Sequence, residues 1–207
     1  MHPRARGEHV LDVETLWLSG ELPQGWDERA AMRVSCCVVH DVATSRDYAF
    51  AAEPVPGAVP GTRPLEGLYW FLEACRSEGC TIVGHNIRGF DWEVLAGEFA
   101  ARGLVQDARG WGPGAAKLVD TMASLHAKLG WRPSLQLLAL YNLGEGKSMD
   151  GALAPGMWRS GLQREVLAYC RRDVHLTKRV WLKGREDGRV AVERLPDGTL
   201  TLVPVEW

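Results

Sequence analysis

The stretch His9-Val10-Leu11-Asp12-Val13-Glu14 decides the fold. It is short and apolar with acids interleaved, the pattern of a β-strand, and the flanking Leu11 and Val13 mark that strand as interior. A Gly- and Pro-bearing excursion from Ser19 to Glu28 follows. Met32 to His40, rich in Val and Cys, then reads as a buried second strand. Arg46 to Ala52 is the third, joined to the second by a short polar turn. Consecutive strands with tight connections predict an antiparallel meander.

Downstream the periodicity changes. Ala51 to Pro64 carries several prolines and is read as loop. Leu65, Leu68, Leu72 and Cys75 recur at helical spacing, with a stop near Gly79. Thr81-Ile82-Val83 is a short strand closed by Gly84. Trp92, Leu95 and Phe99 mark a helix that stops before Gly103, Gly110 to Gly114 is loop, and Lys117 to Asp120 is a strand end. Two helices are predicted over Thr121–Leu129 and Ser134–Tyr141, the second with its start set by Pro133. The longest runs from about Leu162 to Lys183, with the apolar stripe Val166, Cys170, Val174, Thr177, Trp181. Arg189 to Val205 reads as a hairpin around Pro196-Asp197-Gly198. The sum is an α/β domain: a mixed sheet of about five strands, the first three antiparallel, flanked by helices, plus a C-terminal β-hairpin. Residues 1–8 are read as a tail, 9–186 as the domain and 187–207 as the hairpin appended to it.

At 207 residues and 46% hydrophobic content the chain can bury a full core, which excludes disorder as its main character. Its net charge of −2 excludes a global basic coat, so any attraction to nucleic acid is local or metal-mediated. No apolar run approaches a bilayer span, and none stands behind the charged start, so neither membrane insertion nor a secretory signal is expected. Five cysteines, an odd count in a core-rich chain, predict reduced thiols and a cytoplasmic protein.

Asp12 and Glu14, two apart on a strand, leave the same face of the sheet. Adjacent carboxylates on a buried strand repel and are costly to desolvate, and a divalent cation removes both problems. A lone Asp-x-Glu is nonetheless most often a solvated strand end. Asp91 stands where the chain enters a helix, in Gly84-His85-Asn86-Ile87-Arg88-Gly89-Phe90-Asp91. A cap is its commonest role. Asn86 can donate to a phosphate or ribose, and Phe90 can stack on a base or staple the helix. Tyr169 and Asp173, four apart on the long helix, share a face, where an ion pair with Arg171 or Arg172 is the plain alternative to a metal.

Taken together and in this order, these residues resemble a DEDD-type 3′–5′ exonuclease of the ribonuclease H-like fold, in the tyrosine-bearing subclass. Leu11-Asp12-Val13-Glu14-Thr15 is similar to the first motif. Gly84-His85-Asn86 through Phe90-Asp91 is similar to the second, and Tyr169-Cys170-Arg171-Arg172-Asp173-Val174 to the third. Ala168, five before Asp173, excludes the histidine-bearing subclass. The stretch from Ser134 to Lys147 and that from Trp158 to Asp173 resemble the predicted ribonuclease H-like exonucleases found as small proteins or fused to helicases.

The resemblance implies metal-dependent hydrolysis of single-stranded nucleic acid from its 3′ end, releasing nucleoside 5′-monophosphates with two Mg2+ or Mn2+ ions about 3.5–4 Å apart. Asp12, Glu14, Asp91, Tyr169 and Asp173 would be catalytic. Asp12, Glu14 and Asp173 would share the water-activating metal, and Asp12 and Asp91 the leaving-group metal. Tyr169 would orient the water, since an ordinary phenol stays protonated at neutral pH. Glu14 would also receive the 3′-hydroxyl, and Thr15, His85, Asn86 and Phe90 would bind substrate. Lys147, beside Gly144 and Gly146, is a candidate substrate-binding phosphate contact, with a solvated loop charge as the plain alternative. DNA is favoured over RNA because the nearest look-alikes accompany helicases, and a helicase or another nucleic-acid-processing protein is the implied partner. The alternative is a non-catalytic module that binds nucleic acid or docks to a helicase.

Asp120, before Thr121, reads as a helix cap. Arg159, Arg164, Arg171 and Arg172 make the region of the last long helix locally basic, either against a phosphate backbone or as an ordinary solvated face. Trp17, Trp26, Trp111 and Trp158 fall in loops, whereas Trp70, Trp92 and Trp181 fit helical core stripes. Neither Cys36-Cys37 with His40 nor Cys75 with Cys80 has paired zinc-ligand spacing, so buried thiols are expected rather than a zinc site.

Overall fold

A computed structural model describes residues 7–52, 61–146, 149–194 and 198–207. Lys147, Pro196, Asp197 and the Trp26 side chain lie outside the described residues. The elements in chain order are β1 (Glu8–Thr15), β2 (Val34–Asp41), β3 (Arg46–Ala51), β4 (Arg63–Pro64), α1 (Leu65–Glu78), β5 (Thr81–Gly84) and α2 (Asp91–Ala101). They continue with β6 (Lys117–Asp120), α3 (Thr121–Leu129), α4 (Leu135–Leu143), α5 (Ala154–Arg159), α6 (Gln163–Asp187), β7 (Arg189–Arg194) and β8 (Thr199–Pro204).

A six-stranded mixed sheet runs in the order β4-β3-β2-β1-β5-β6, and β7-β8 form a separate hairpin. β1, β2 and β3 pair antiparallel, while β5 and β6 join parallel to β1's other side. The period-two pattern of β1 sorts its side chains between two helical layers. Leu11 and Val13 pack with Leu68 and Leu72 of α1 and Leu95 and Phe99 of α2. Val10 packs on the other face with Cys170, Val174 and Trp181 of α6. Asp12 and Glu14 therefore leave the sheet on the α6 side. β2 is buried along all eight residues, as a strand covered on both faces must be. Valines of β7 and β8 share a third cluster with Leu138 of α4 and Leu176 and Val180 of α6, which fastens the hairpin to the domain.

Several expectations need correction. The sheet has six strands rather than about five, because Arg63–Pro64, read as loop, pairs parallel with Phe50 and Ala51. Two residues carry no periodicity, and a proline, lacking an N–H, is tolerated at a sheet edge. The excursion after β1 holds two short 3-10 segments, Ser19–Glu21 and Gly25–Ala31. α4 starts at Leu135 because the Ser134 hydroxyl caps the Leu137 N–H at 3.3 Å, so Ser134 rather than Pro133 sets its start. α5 and the 3-10 turn Gly151–Leu153 before it were not foreseen, being too short to show a stripe. α6 continues to Asp187, where Gly188 at φ 68° ends it.

The tryptophans also redistribute. Trp111 is buried, stacked on Trp92 with centroids 4.8 Å apart, and Trp158 is buried in α5. Trp70 is 60% exposed. It lies two residues from both Leu68 and Leu72, about 200° around the helix from each, and so on the opposite face from the apolar stripe.

Candidate active site

α6 crosses the sheet over β1 and delivers three side chains to the Asp12–Glu14 face. The Cys170 thiol donates to the Asp12 carbonyl at 3.4 Å, which seats the helix on the strand. Tyr169 and Asp173 flank this contact one turn apart and are 3% and 1% exposed. Arg171 is engaged elsewhere, with Asp47 at 3.1 Å, and Arg172 donates to the Gly146 carbonyl at 3.1 Å. The surface ion pair that sequence alone allowed for Asp173 is thus not how these two arginines are used.

The second strand-to-helix connection, from β5 into α2, supplies Asp91. It turns tightly: a Cβ on Gly84 would stand 2.6 Å from Ile87 Cβ, and Asn86 takes a left-handed φ of 72°. Asp120 holds this turn from below. Its Oδ1 accepts from the Asn86 N–H at 3.0 Å and from the Ala123 N–H at 2.9 Å, and its Oδ2 from the Arg88 N–H at 2.9 Å. Asp120 is therefore the cap of α3, as its position suggests, and also the anchor of the turn that precedes Asp91. Asp91 itself is not a cap. Phe90 occupies the cap position, and Asp91, 3% exposed, accepts from the Val13 N–H at 3.0 Å.

Asp12, Glu14, Asp91, Tyr169 and Asp173 all line one cavity of about 410 Å3, together with Thr15, His85 and Phe90. Thr15 donates its hydroxyl to the Trp17 carbonyl at 2.9 Å. Phe90 is half-buried and packs against the α1–α2 core while facing the cavity, so staple and wall are the same ring. His85 is held at both nitrogens, 3.0 Å from Thr121 Oγ1 and 3.0 Å from the Pro133 carbonyl. An adjoining cavity of about 770 Å3 is lined by Asn86, Arg132, Gln136 and Asp150, and it shares His85 and Gly151 with the first. Asn86 faces that adjoining space rather than the acids.

Sequence reasoning missed the wall formed by Gly151, Ala152 and Pro155. Its signal was present: Asp150 caps the turn by accepting from the Ala152 N–H at 3.0 Å, and Pro155 opens α5. Arg159 is committed to this side of the molecule. It pairs with Glu21 at 2.7 Å and lies over the Trp17 ring at 4.7 Å.

Four carboxylates converge here, three of them nearly buried, and the negative potential registers on the neighbouring thiols. Burial pushes the Cys170 thiol up, and Cys36, Asp12 and Glu14 push it further. Ligand atoms of Asp12, Glu14 and Cys170 lie within 4.8 Å of one another, as do those of His40, Asp47 and His175 and those of His9, Cys75 and Cys80. In the first group the protonated thiol already serves α6, so the oxygens of the acids are the donors suited to a hard cation. In the second, Asp47 is taken up by His40 at 2.7 Å and His175 at 3.0 Å as well as by Arg171. No helix among the described residues is long and apolar enough to cross a membrane.

No protein-family model matches the sequence, and no curated protein matches it. Among solved structures the chain is similar to the family B DNA polymerase from the hyperthermophilic archaeon Pyrobaculum calidifontis, with 19% identity and a TM-score of 0.57 over 87% of this chain. The chain spans 24% of that polymerase, and the likeness is one of fold. The class so defined is a mixed α/β domain of a kind that a nucleic-acid enzyme contains, here with an acidic cavity at the sheet's centre.

Proposed function

We propose that the protein is a ribonuclease H-like 3′–5′ exonuclease of the tyrosine-bearing DEDD type, removing nucleotides one at a time from single-stranded ends. The observation that carries this reading is the single cavity in which Asp12, Glu14, Asp91, Tyr169 and Asp173 meet, drawn from β1, α2 and α6. Oxygen donors in that number fit two hard divalent ions, Mg2+ or Mn2+. Asp12, Glu14 and Asp173 would hold one and Asp12 with Asp91 the other. Such ions, when bound, would supply neutralisation of phosphate charge and a more acidic water.

The chain's own residues do the rest. Tyr169 donates its hydroxyl to the attacking water and fixes its line of approach. Phe90 and the Gly151–Pro155 wall confine the terminal nucleotide. His85, its ring held at both nitrogens, sets the border with the adjoining cavity, which accommodates the next nucleotide. A polymerase acting on DNA as the fold neighbour supports DNA over RNA as substrate. A partner such as a helicase, supplying the single strand, fits the same reading.

The test uses 5′-labelled single-stranded DNA and RNA of matched sequence with Mg2+, Mn2+ or chelator. Expected is a ladder shortening from the 3′ end, dependent on metal and absent in Asp173→Ala. Binding without cleavage under every metal condition would overturn the enzyme and leave a nucleic-acid-binding module.

A further inference from the structure

On the sheet face opposite the acids, His9 meets two cysteines more than sixty residues downstream, in the core. His9 of β1 is 1% exposed, Cys75 of α1 0% and Cys80, between α1 and β5, 2%. The imidazole and the two sulfurs lie within 4.8 Å of one another. From this convergence we infer a structural zinc site formed by His9, Cys75 and Cys80.

Two separate pieces of backbone geometry bring the ligands together, one for the cysteine pair and one for His9. α1 ends at Gly79, whose φ of 74° reverses the chain. The Cys75 carbonyl accepts from both the Gly79 N–H at 3.0 Å and the Cys80 N–H at 3.1 Å. This closure folds Cys80 back beside Cys75. His9 arrives through the parallel ladder of β1 with β5, where it stands opposite Ile82, and the Thr81 N–H bonds the Gly7 carbonyl at 3.0 Å. The edge of His9 against Phe71, with centroids 5.0 Å apart, sets the ring's tilt.

The donor set selects the ion. Two sulfurs and an imidazole are soft to borderline ligands, suited to zinc and poor for Mg2+ or Mn2+. Two thiolates balance a divalent charge, so the complex is neutral, as a fully buried site requires. A monovalent ion would leave a net negative charge in the core. The three side chains supply three of the four positions of a tetrahedral zinc ion. Burial pushes both thiols up, so loading releases two protons, one from each cysteine, and proceeds as the chain folds. The site would tie the entry of β1, the end of α1 and the start of β5 to one another, three residues upstream of Asp12. It stands independently of the exonuclease reading.

The test measures metal in the intact chain. Purified protein is expected to carry one equivalent of zinc that dialysis against Mg2+ does not displace. Refolding with Co2+ as the probe should give a thiolate-to-cobalt charge-transfer band and the visible envelope of a tetrahedral site. Both should persist in Asp173→Asn, which alters the acidic cavity, and disappear in Cys80→Ser and Cys75→Ser. A wild-type chain that refolds with Co2+ and shows no thiolate band overturns the site, whether or not the variants fold. So does a band that survives both cysteine substitutions or vanishes in Asp173→Asn.

Discussion

Asp91 Oδ1 accepts a hydrogen bond of 3.0 Å from the backbone N–H of Val13, the residue between Asp12 and Glu14. β5 pairs with β1 as far as Val10 opposite Val83, and beyond that point it no longer runs beside β1. The carboxylate of Asp91 takes the place a further strand residue would have filled, and so fastens α2 to the strand between its two acids.

That double duty separates two substitutions. Asp91→Ala leaves the buried Val13 N–H without its acceptor and should cost about 1–3 kcal/mol. Asp91→Asn keeps an oxygen there and should cost less than about 1 kcal/mol. Both should lose metal-dependent cleavage. Urea midpoints set beside gel assays check this, and equal destabilisation by the two variants would remove the hydrogen bond from the account.

Tyr169→Phe should slow turnover by about a hundredfold while the Mn2+ dependence stays where it was. A Cβ on Gly151 would stand 3.1 Å from the Tyr169 hydroxyl, so Gly151→Ala should crowd the phenol and slow the same step. Single-turnover rates over a Mn2+ titration distinguish these effects from weakened metal binding. A Tyr169→Phe enzyme of full speed would take the phenol out of the water's surroundings.

Glu98, fully buried, accepts from Arg33 at 2.6 Å, Arg102 at 2.6 Å and the Val34 N–H at 3.1 Å. Burial pushes its carboxyl up, but these partners outweigh burial and hold it below the ordinary carboxylate range. A depressed folded value means that the unfolded chain binds the proton first. Glu98 therefore contributes its full stabilisation above about pH 5, and the contribution falls as acid drives the pH through the folded value. Glu98→Gln should flatten that acid limb and cost about 2 kcal/mol near neutrality, because both arginines are partly solvated. Urea unfolding at a series of pH values measures slope and cost together, and an unchanged acid limb would contradict the assignment.

Gly97 of α2 faces the 3-10 segment after β1 so closely that a Cβ there would lie 1.9 Å from the Ala30 carbonyl oxygen. Gly97→Ala should destabilise by about 3 kcal/mol or more, since backbone must move to admit the methyl. A melting temperature within a degree or two of wild type would show that this segment shifts freely.

What sequence made legible was local. Asp12 and Glu14 declare themselves by strand period, and Tyr169 and Asp173 by helical period. Asp91 is found by its place at a helix start, although the partner it serves is 78 residues away rather than its own helix. The long strands and helices followed from apolar spacing in the same way. Features that depend on a neighbour distant in sequence did not. β4 exists only because β3 lies beside it, Asp120 anchors a turn that precedes it by more than thirty residues, and His9 joins Cys75 and Cys80 only across a strand pair. The exposure of Trp70 was readable from its offset to Leu68 and Leu72, while the burial of Trp111 depended on Trp92 being there to stack on.

The docking of α6 across β1 has a consequence for when the chain can act. Asp173 follows Asp12 in the chain by 161 residues, so a ribosome makes the strand well before the helix that completes the set. A nascent or prematurely stopped chain without that helix would hold three of the four carboxylates and have no means of completing the set. On the function proposed above, competence would then appear only once α6 has packed on β1, and copies lacking that helix would leave nucleic acid uncut.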